Sequence, residues 1–358
     1  MSDSLCWAGV DTSTRTYAVC VTGDGGKILS EAELSADAEA VHAFLSGQPR
    51  IPVQVALETG TTSVHLARAL TEMGYPVSVY DAFKVHRFLQ THPNKTDNSD
   101  ARGLAEIARI GCERLKKVYI RPLRLAVPRS KLVIRERLMK MRKLNEAAMM
   151  SLFHAYGVRA DERVSSSTSL RRVLPKMIKA VERNYDIPIR QLVTPLLRLS
   201  LTLRKEELRL ENELKAFAAQ DETCRRLMEI PGVGVITAVS FVTAVGDPFR
   251  FKRTEDVAAY FGLTPRVWRT GSYVRRRGIS KFGSGMTRRH LHCAARQALD
   301  ARKEGTLQLW GRALAARSNR RLAIVAVARK LAVVMLAIWK NGSKYDPAGG
   351  LTQTENCC

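Results

Sequence analysis

Residues 5 to 35 alternate apolar and polar positions in three runs, "LCWAGVDTS", "TYAVCVTG" and, after the turn-forming "GDGG", "KILSEAEL". A period of two predicts three short strands in a meander. The period then changes. A helical pattern covers about 36–47, followed by strand "VQVALET", helix "SVHLARALTEMG", strand "PVSVYDA" and helix "AFKVHRFLQ". A meander continued by alternating helix and strand predicts an α/β sheet of mixed strand order.

The middle of the chain is helical, at about 128–158 and 190–220. Leu192, Leu196, Leu199, Leu203, Leu210, Leu214 and Phe217 follow steps of four and three with one position missed. Such a heptad seam suits a coiled-coil connector or a dimer contact, and packing within its own domain is the other reading. Between the two stretches, "DERVSSSTS" (161–169) reads as a loop or linker.

From about 222 the chain reads "RRLMEIPGVGVITAVSFVTAVGD", two apolar helices around a glycine turn. This is a helix-hairpin-helix pattern, in which Gly232 and Gly234 would let the backbone approach a phosphate. Next come "TEDVAAYFGLTPR", a basic Gly/Ser segment over 269–285, and two helices to about residue 340. The longest apolar run, "LAIVAVARKLAVVMLAIW" (322–339), is interrupted by Arg329 and Lys330 and reads as a buried helix rather than a membrane span.

Charge narrows the function. The 358 residues hold 58 Lys+Arg against 34 Asp+Glu, a net charge of +24. That excess points to a polyanionic partner, nucleic acid above all, and the chain is long enough for two domains with a connector. The densest basic stretches are 114–143 and 266–290. Seven cysteines without CxxC or Cys/His spacing argue for a reduced, cytoplasmic protein without structural zinc. The N-terminus has no basic region leading into an apolar one, so no signal peptide is expected.

Acids stand at telling places. Asp11 and Glu58 close apolar strands, and Asp97 and Asp100 lie three apart where "NKTDNSDARGLAEIAR" enters a helix. Asp97 and Asp100 could simply cap that helix. Equally, residues at i and i+3 share a face and could join the strand-end acids beside the sheet. Four such carboxylates can hold two divalent ions about 3.5–4 Å apart, Mg²⁺ or Mn²⁺ being suited to hard oxygen ligands. On nucleic acid, that chemistry is phosphoryl transfer.

"GVDTS", "LETGTTSVHLARAL", "NKTDNSDARGLAEIAR", "IPGVGVITA", "AAYFGLTPR" and "GISKFG" appear in this order. With them the sequence resembles the insertion-sequence one-ten family of transposases, related to the Piv DNA invertases, from about residue 7 to residue 340. The resemblance implies an α/β plus all-α protein. Its parts would be a RuvC-like, RNase H-type domain (1–125), a helical coiled-coil connector (126–221), a helical C-terminal transposase domain (222–345) and a tail (346–358). It implies a D-E-D-D metal set, which falls on Asp11, Glu58, Asp97 and Asp100. It also implies a structured noncoding guide RNA that pairs with target and donor double-stranded DNA. Members assemble as homodimers and homotetramers, with active sites completed between subunits.

The family's nucleophilic serine precedes a glycine shortly after "TPR", and Thr270 occupies that slot here, with Ser272 two residues on. Either hydroxyl could attack. Lys95, Arg266, Arg275, Arg276, Arg277, Ser280, Lys281, Arg288 and Arg289 are candidate phosphate-binding residues. His290 and His292 read as surface or packing residues. A RuvC-type junction endonuclease would use the same acids without a covalent intermediate, and a basic RNA- or DNA-binding scaffold would leave them unexplained.

Overall fold

The computed structural model describes residues 5–89, 97–111, 115, 117–161, 167–270, 273–301 and 305–348, the side chains of 97, 98, 167, 267–270 and 273–277 excepted. Two compact units divide the chain, Met1–Ile120 and Arg121–Cys358.

The first unit is built on a five-stranded sheet. In chain order it contains β1 (Cys6–Thr12), β2 (Thr16–Gly23), β3 (Ile28–Ser35), α1 (Ala38–Ser46), β4 (Gln54–Glu58), α2 (Ser63–Glu72), β5 (Val77–Tyr80), α3 (Ala82–Leu89) and α4 (Asp97–Ile110). The strand order is β3-β2-β1-β4-β5. The meander is antiparallel, whereas β1 pairs with β4 and β4 with β5 in parallel. Alternation along the strands sorts side chains to two faces. Val10, Val19, Val21, Val55 and Leu57 pack under α1 and α2, while Ala18, Cys20, Ala56 and Tyr80 pack against α3 and α4.

The second unit is mainly helical: α5 (Leu123–Ala155), α6 (Ser167–Tyr185), α7 (Ile189–Gln220), α8 (Glu222–Met228), α9 (Val235–Val245) and α10 (Asp256–Tyr260). A β-hairpin follows, β6 (Pro265–Thr270) and β7 (Tyr273–Ile279), then α11 (Gly285–Asp300), α12 (Thr306–Arg317) and α13 (Arg320–Asn341). Three of these elements differ from the sequence reading. The basic Gly/Ser segment is partly a two-stranded ribbon, α6 fills the region after the expected linker, and three helices rather than two close the chain.

Helices α5 and α7 run antiparallel, since Lys131, Arg135 and Arg142 meet Glu213, Glu211 and Glu207 in turn. At one end Leu125, Leu132, Leu214 and Ala218 enter the large core around α9 and α13. At the other, Met149, Phe153, Ile189 and Val193 form a separate core with α6. The span between is ionic. Glu207, 1% exposed, accepts from Arg142 at 2.8 and 3.2 Å and from Arg204 at 2.9 Å. Asn145 bridges to Ser200 Oγ and the Leu196 carbonyl, both at 2.6 Å. The buried seam of α7 therefore runs through Val193, Ser200, Leu203, Glu207, Leu210 and Leu214, while Leu192 and Leu199 are exposed.

Among the described residues one helix, α13, is long and apolar enough to cross a membrane, and half of its most apolar window is buried inside the protein. Ala323, Val327, Leu331, Met335 and Leu336 belong to the large core, as a buried helix requires.

Candidate functional site

Helix α4 lies against the sheet at a place without side chains. A β-carbon on Gly9 would collide with the backbone oxygen of Ala101 and the backbone nitrogen of Ala105. Glycine is required because the helix backbone occupies that volume. Farther along, Glu106 and Arg109 reach Gly26 in the β2–β3 turn, which sits at the starting end of β1. The helix thus runs opposite to β1, and its first turn lies toward the finishing end of that strand.

Asp11 and Glu58 stand at that same edge. The parallel register of β1 and β4 proceeds from Trp7–Gln54 to Val10–Leu57, and the next residue on each strand is the acid. Neighbouring strands lie about 4.8 Å apart. By alternation Asp11 shares the face of Gly9, and its antiparallel partner Ala18 packs with Ala101. Glu58 shares the face of Ala56, which packs with Leu104 and Ile107. Both acids therefore belong to the α4 face.

Asp100 is half-buried, one turn before the buried Leu104, on the side of α4 that meets the sheet. Asp97 is the first residue of α4 and its side chain lies outside the described atoms, as does all of Lys95. Among the described residues, no three His, Cys, Asp or Glu side chains gather closely enough to hold a metal ion. The edge thus presents oxygen donors from two strands and one helix end.

The loop after Glu58 is tightly organised. Thr59 N–H donates to the Tyr80 carbonyl at 2.8 Å, and Thr59 Oγ1 accepts from Ala82 N–H at 3.0 Å. Ser63 Oγ closes the Gly60 turn. These bonds tie β4, β5 and α3 together where Glu58 emerges.

In the second unit, Thr270 is paired with Tyr273 at the tip of the β6–β7 ribbon. The Thr270 side chain, those of Arg275, Arg276 and Arg277, and all of Ser272 lie outside the described atoms. Trp268, Val267 and Arg266 of β6 register with Arg275, Arg276 and Arg277 of β7. At the ribbon's base, Ser280 N–H donates to the Thr264 carbonyl at 2.8 Å, while Lys281 is exposed.

Several candidate phosphate ligands serve the protein's own structure. Gly232 has φ +89°, and its open side faces the backbone of Ala294 and Ala298 on α11, so packing within the core explains this glycine. Gly234 caps α9 and has open space where a side chain would be. Arg288 donates to the carbonyls of Phe261 and Phe282 at 3.0 and 2.8 Å. Arg289 pairs with the buried Glu136.

Sequence reasoning missed Arg129 on α5, which donates to Thr287 Oγ1 at 3.2 Å and Ser284 Oγ at 3.0 Å, at the start of α11. Burial, followed by the nearby charge of Arg121, lowers its pKa to about 10, which leaves it cationic at neutral pH. Also missed was one exposed face of α6, where Arg172, Lys176, Lys179 and Arg183 recur at steps of four, three and four. Their helical spacing was present in the sequence but hidden by the Ser-rich approach and Pro175.

Comparison with known proteins follows this layout. A transposase model of the DEDD, IS110 class matches residues 8–156, and one described as Transposase IS116/IS110/IS902 family matches 224–309. The transposase for insertion sequence element IS1111A of Coxiella burnetii is 30% identical over 340 residues, covering 94% of this chain and 90% of that protein. The chain belongs to the IS110 family of transposases.

Two further relatives are comparably similar. The transposase for insertion sequence element IS1328 of Yersinia enterocolitica is 28% identical over 84% of this chain and 87% of its own length. A probable family 20 transposase of Pseudomonas aeruginosa is 26% identical over 83% of this chain and 86% of its own. The first IS110 match includes all four acids, and the second includes the hairpin bearing Thr270.

Proposed function

We propose that this IS110-family protein cuts and rejoins DNA strands as a transposase, through a RuvC-like metal site and a hydroxyl nucleophile. The observation that carries the reading is the direction of α4, which brings the turn of Asp100 to the edge where Asp11 and Glu58 end adjacent strands. Asp11, Glu58, Asp97 and Asp100 would hold Mg²⁺ or Mn²⁺, and their all-oxygen chemistry fits such ions. When bound, the ions polarise the phosphodiester and stabilise the charge on its oxygens.

Thr270 or Ser272 is the attacking residue in this reading. Its hydroxyl oxygen bonds to phosphorus and loses its proton. The leaving sugar oxygen departs and takes up a proton, so the protein–DNA phosphodiester conserves the broken bond. Arginines of β7 and the exposed Lys281 would neutralise phosphates. The division into 1–125, 126–221, 222–345 and 346–358 is retained as the functional layout, with a structured RNA directing the choice of donor and target DNA.

A second copy is the proposed partner of α5. Leu123, Val127, Ser130, Ile134, Arg137, Met141, Leu144 and Ala148 follow steps of four and three, and all are exposed. An outward heptad seam of this length supports coiled-coil pairing in a dimer or tetramer.

Trapping the complex on a suicide DNA substrate and mapping the attached residue by mass spectrometry tests the mechanism. Attachment at Thr270 or Ser272, lost in the double alanine variant, is the expected result. Cleavage with no covalent species at any stage would instead assign hydrolysis of the junction-endonuclease type.

A further inference from the structure

Single exposed phenylalanines are ordinary on protein surfaces. Phe282 differs in how it is held. It is 68% exposed, in the short loop between β7 and α11. The backbone beneath it is fixed on both sides: Ser280 and Lys281 N–H groups donate to the carbonyls of Thr264 and Gly262, and Arg288 holds the carbonyl of Phe282 itself. A β-carbon on Gly262 (φ +65°) would collide with the backbone of Phe282, and one on Gly283 (φ +69°) with the carbonyl of Tyr260.

Between these glycines Lys281 adopts φ +59°. A non-glycine residue is strained there and persists only where its surroundings over-determine it. Here they do. The result is a rigid loop that displays an ammonium and a phenyl ring side by side instead of folding the ring inward. Arg266, also exposed, sets its guanidinium carbon 5.7 Å from the ring centroid.

An aromatic ring with a guanidinium over it and an exposed lysine as its chain neighbour matches a nucleobase and its phosphates. A base inside a duplex has both faces covered by its neighbours, so the ring is matched to an unpaired base. The loop also lies at the open end of the β6–β7 ribbon, five residue steps from Thr270. At about 3.4 Å per residue that is ~17 Å, or roughly five nucleotides of one strand.

We infer that Phe282 is a stacking platform for an unpaired DNA base near the strand-exchange hairpin, with Lys281 and Arg266 on the adjoining phosphates. The inference rests on the transposase reading, which makes DNA the strand that reaches this hairpin.

The test uses the full-length protein and a short DNA duplex ending in a single unpaired 2-aminopurine. A blunt duplex of equal length and the RNA counterpart serve as comparisons. Wild type should quench the unpaired probe. F282A should bind the overhang DNA roughly 5- to 100-fold more weakly, and F282W within about twofold of wild type, with blunt-duplex affinity unchanged. Equal binding of F282A and wild type overturns the inference, and so does an equal loss on the blunt duplex. A larger effect on RNA than on DNA overturns the assignment to DNA. Loss of self-association with DNA binding intact would mean that a second copy covers the ring, which also overturns it. Failure of the wild-type protein to bind any DNA would take the transposase reading with it, and shows before a variant is made.

Discussion

The backbone oxygen of Ala101 lies where a side chain on Gly9 would begin. Strand β1 and helix α4 are therefore in backbone contact, and no rotamer change can relieve a methyl group placed there. Gly9→Ala should destabilise the first unit by about 1–3 kcal/mol through overpacking and move α4 off the sheet. Urea unfolding measures the first effect. Strand cleavage should fall along with it, because the turn of Asp100 would leave the edge.

Asp100→Asn keeps the size of the side chain and removes its charge. Strand cleavage should be abolished, while affinity for DNA stays within a few fold. Glu58→Gln should behave in the same way. Full cleavage in Mg²⁺ by either variant would remove that residue from the proposed metal site.

Glu207→Ala leaves the guanidiniums of Arg142 and Arg204 around a lost carboxylate. Breaking a buried pair from one side costs about 3–5 kcal/mol, whereas replacing all its members with apolar residues can be nearly neutral. The single variant should lower the thermal midpoint sharply. Because Arg142 also holds Glu146, a quadruple Arg142→Met, Glu146→Leu, Arg204→Met, Glu207→Leu variant should recover much of that loss.

Burial lowers the pKa of His290 to about 4, reinforced by the positive charges of Arg135, Arg289 and Arg129. An unfolded histidine titrates near 6.5. Between those values the unfolded chain takes up a proton that the folded one does not. The stabilisation is thus complete above pH ~6.5 and is lost as pH falls toward ~4, by about 3 kcal/mol in all. His290→Gln should flatten this part of the stability–pH profile, measured by urea titrations at pH 7.5, 6 and 5.

The outward seam of α5 gives a concentration-dependent expectation. Ile134→Asp together with Met141→Asp places charges in the middle of that seam. Light scattering should show a smaller assembly than wild type at the same concentration. An unchanged mass would mean that α5 is not the contact.

Much of the first unit was legible because its strands alternate and its helices begin after turn residues. The common edge of Asp11 and Glu58 followed from their places at strand ends. What the sequence could not supply was the direction of α4, which depends on a contact between residues about ninety positions apart. The β6–β7 ribbon escaped notice since its basic side chains show no apolar alternation. The seam of α7 was misphased at Leu192 and Leu199 for a related reason. Its true buried positions include Ser200 and Glu207, whose partners Asn145 and Arg142 lie on another helix.

Leu125 and Leu132 on α5 sit in the same core as α9, α11 and α13. On the ribosome, α5 emerges long before those helices exist, and its inward face has to wait for them. Contacts spanning some 150 residues slow folding. A fragment starting near residue 222 would lack the strip of side chains that covers α9, so it should be prone to aggregation. Truncated copies would then be removed by proteolysis instead of persisting as inhibitors that occupy DNA without cutting it.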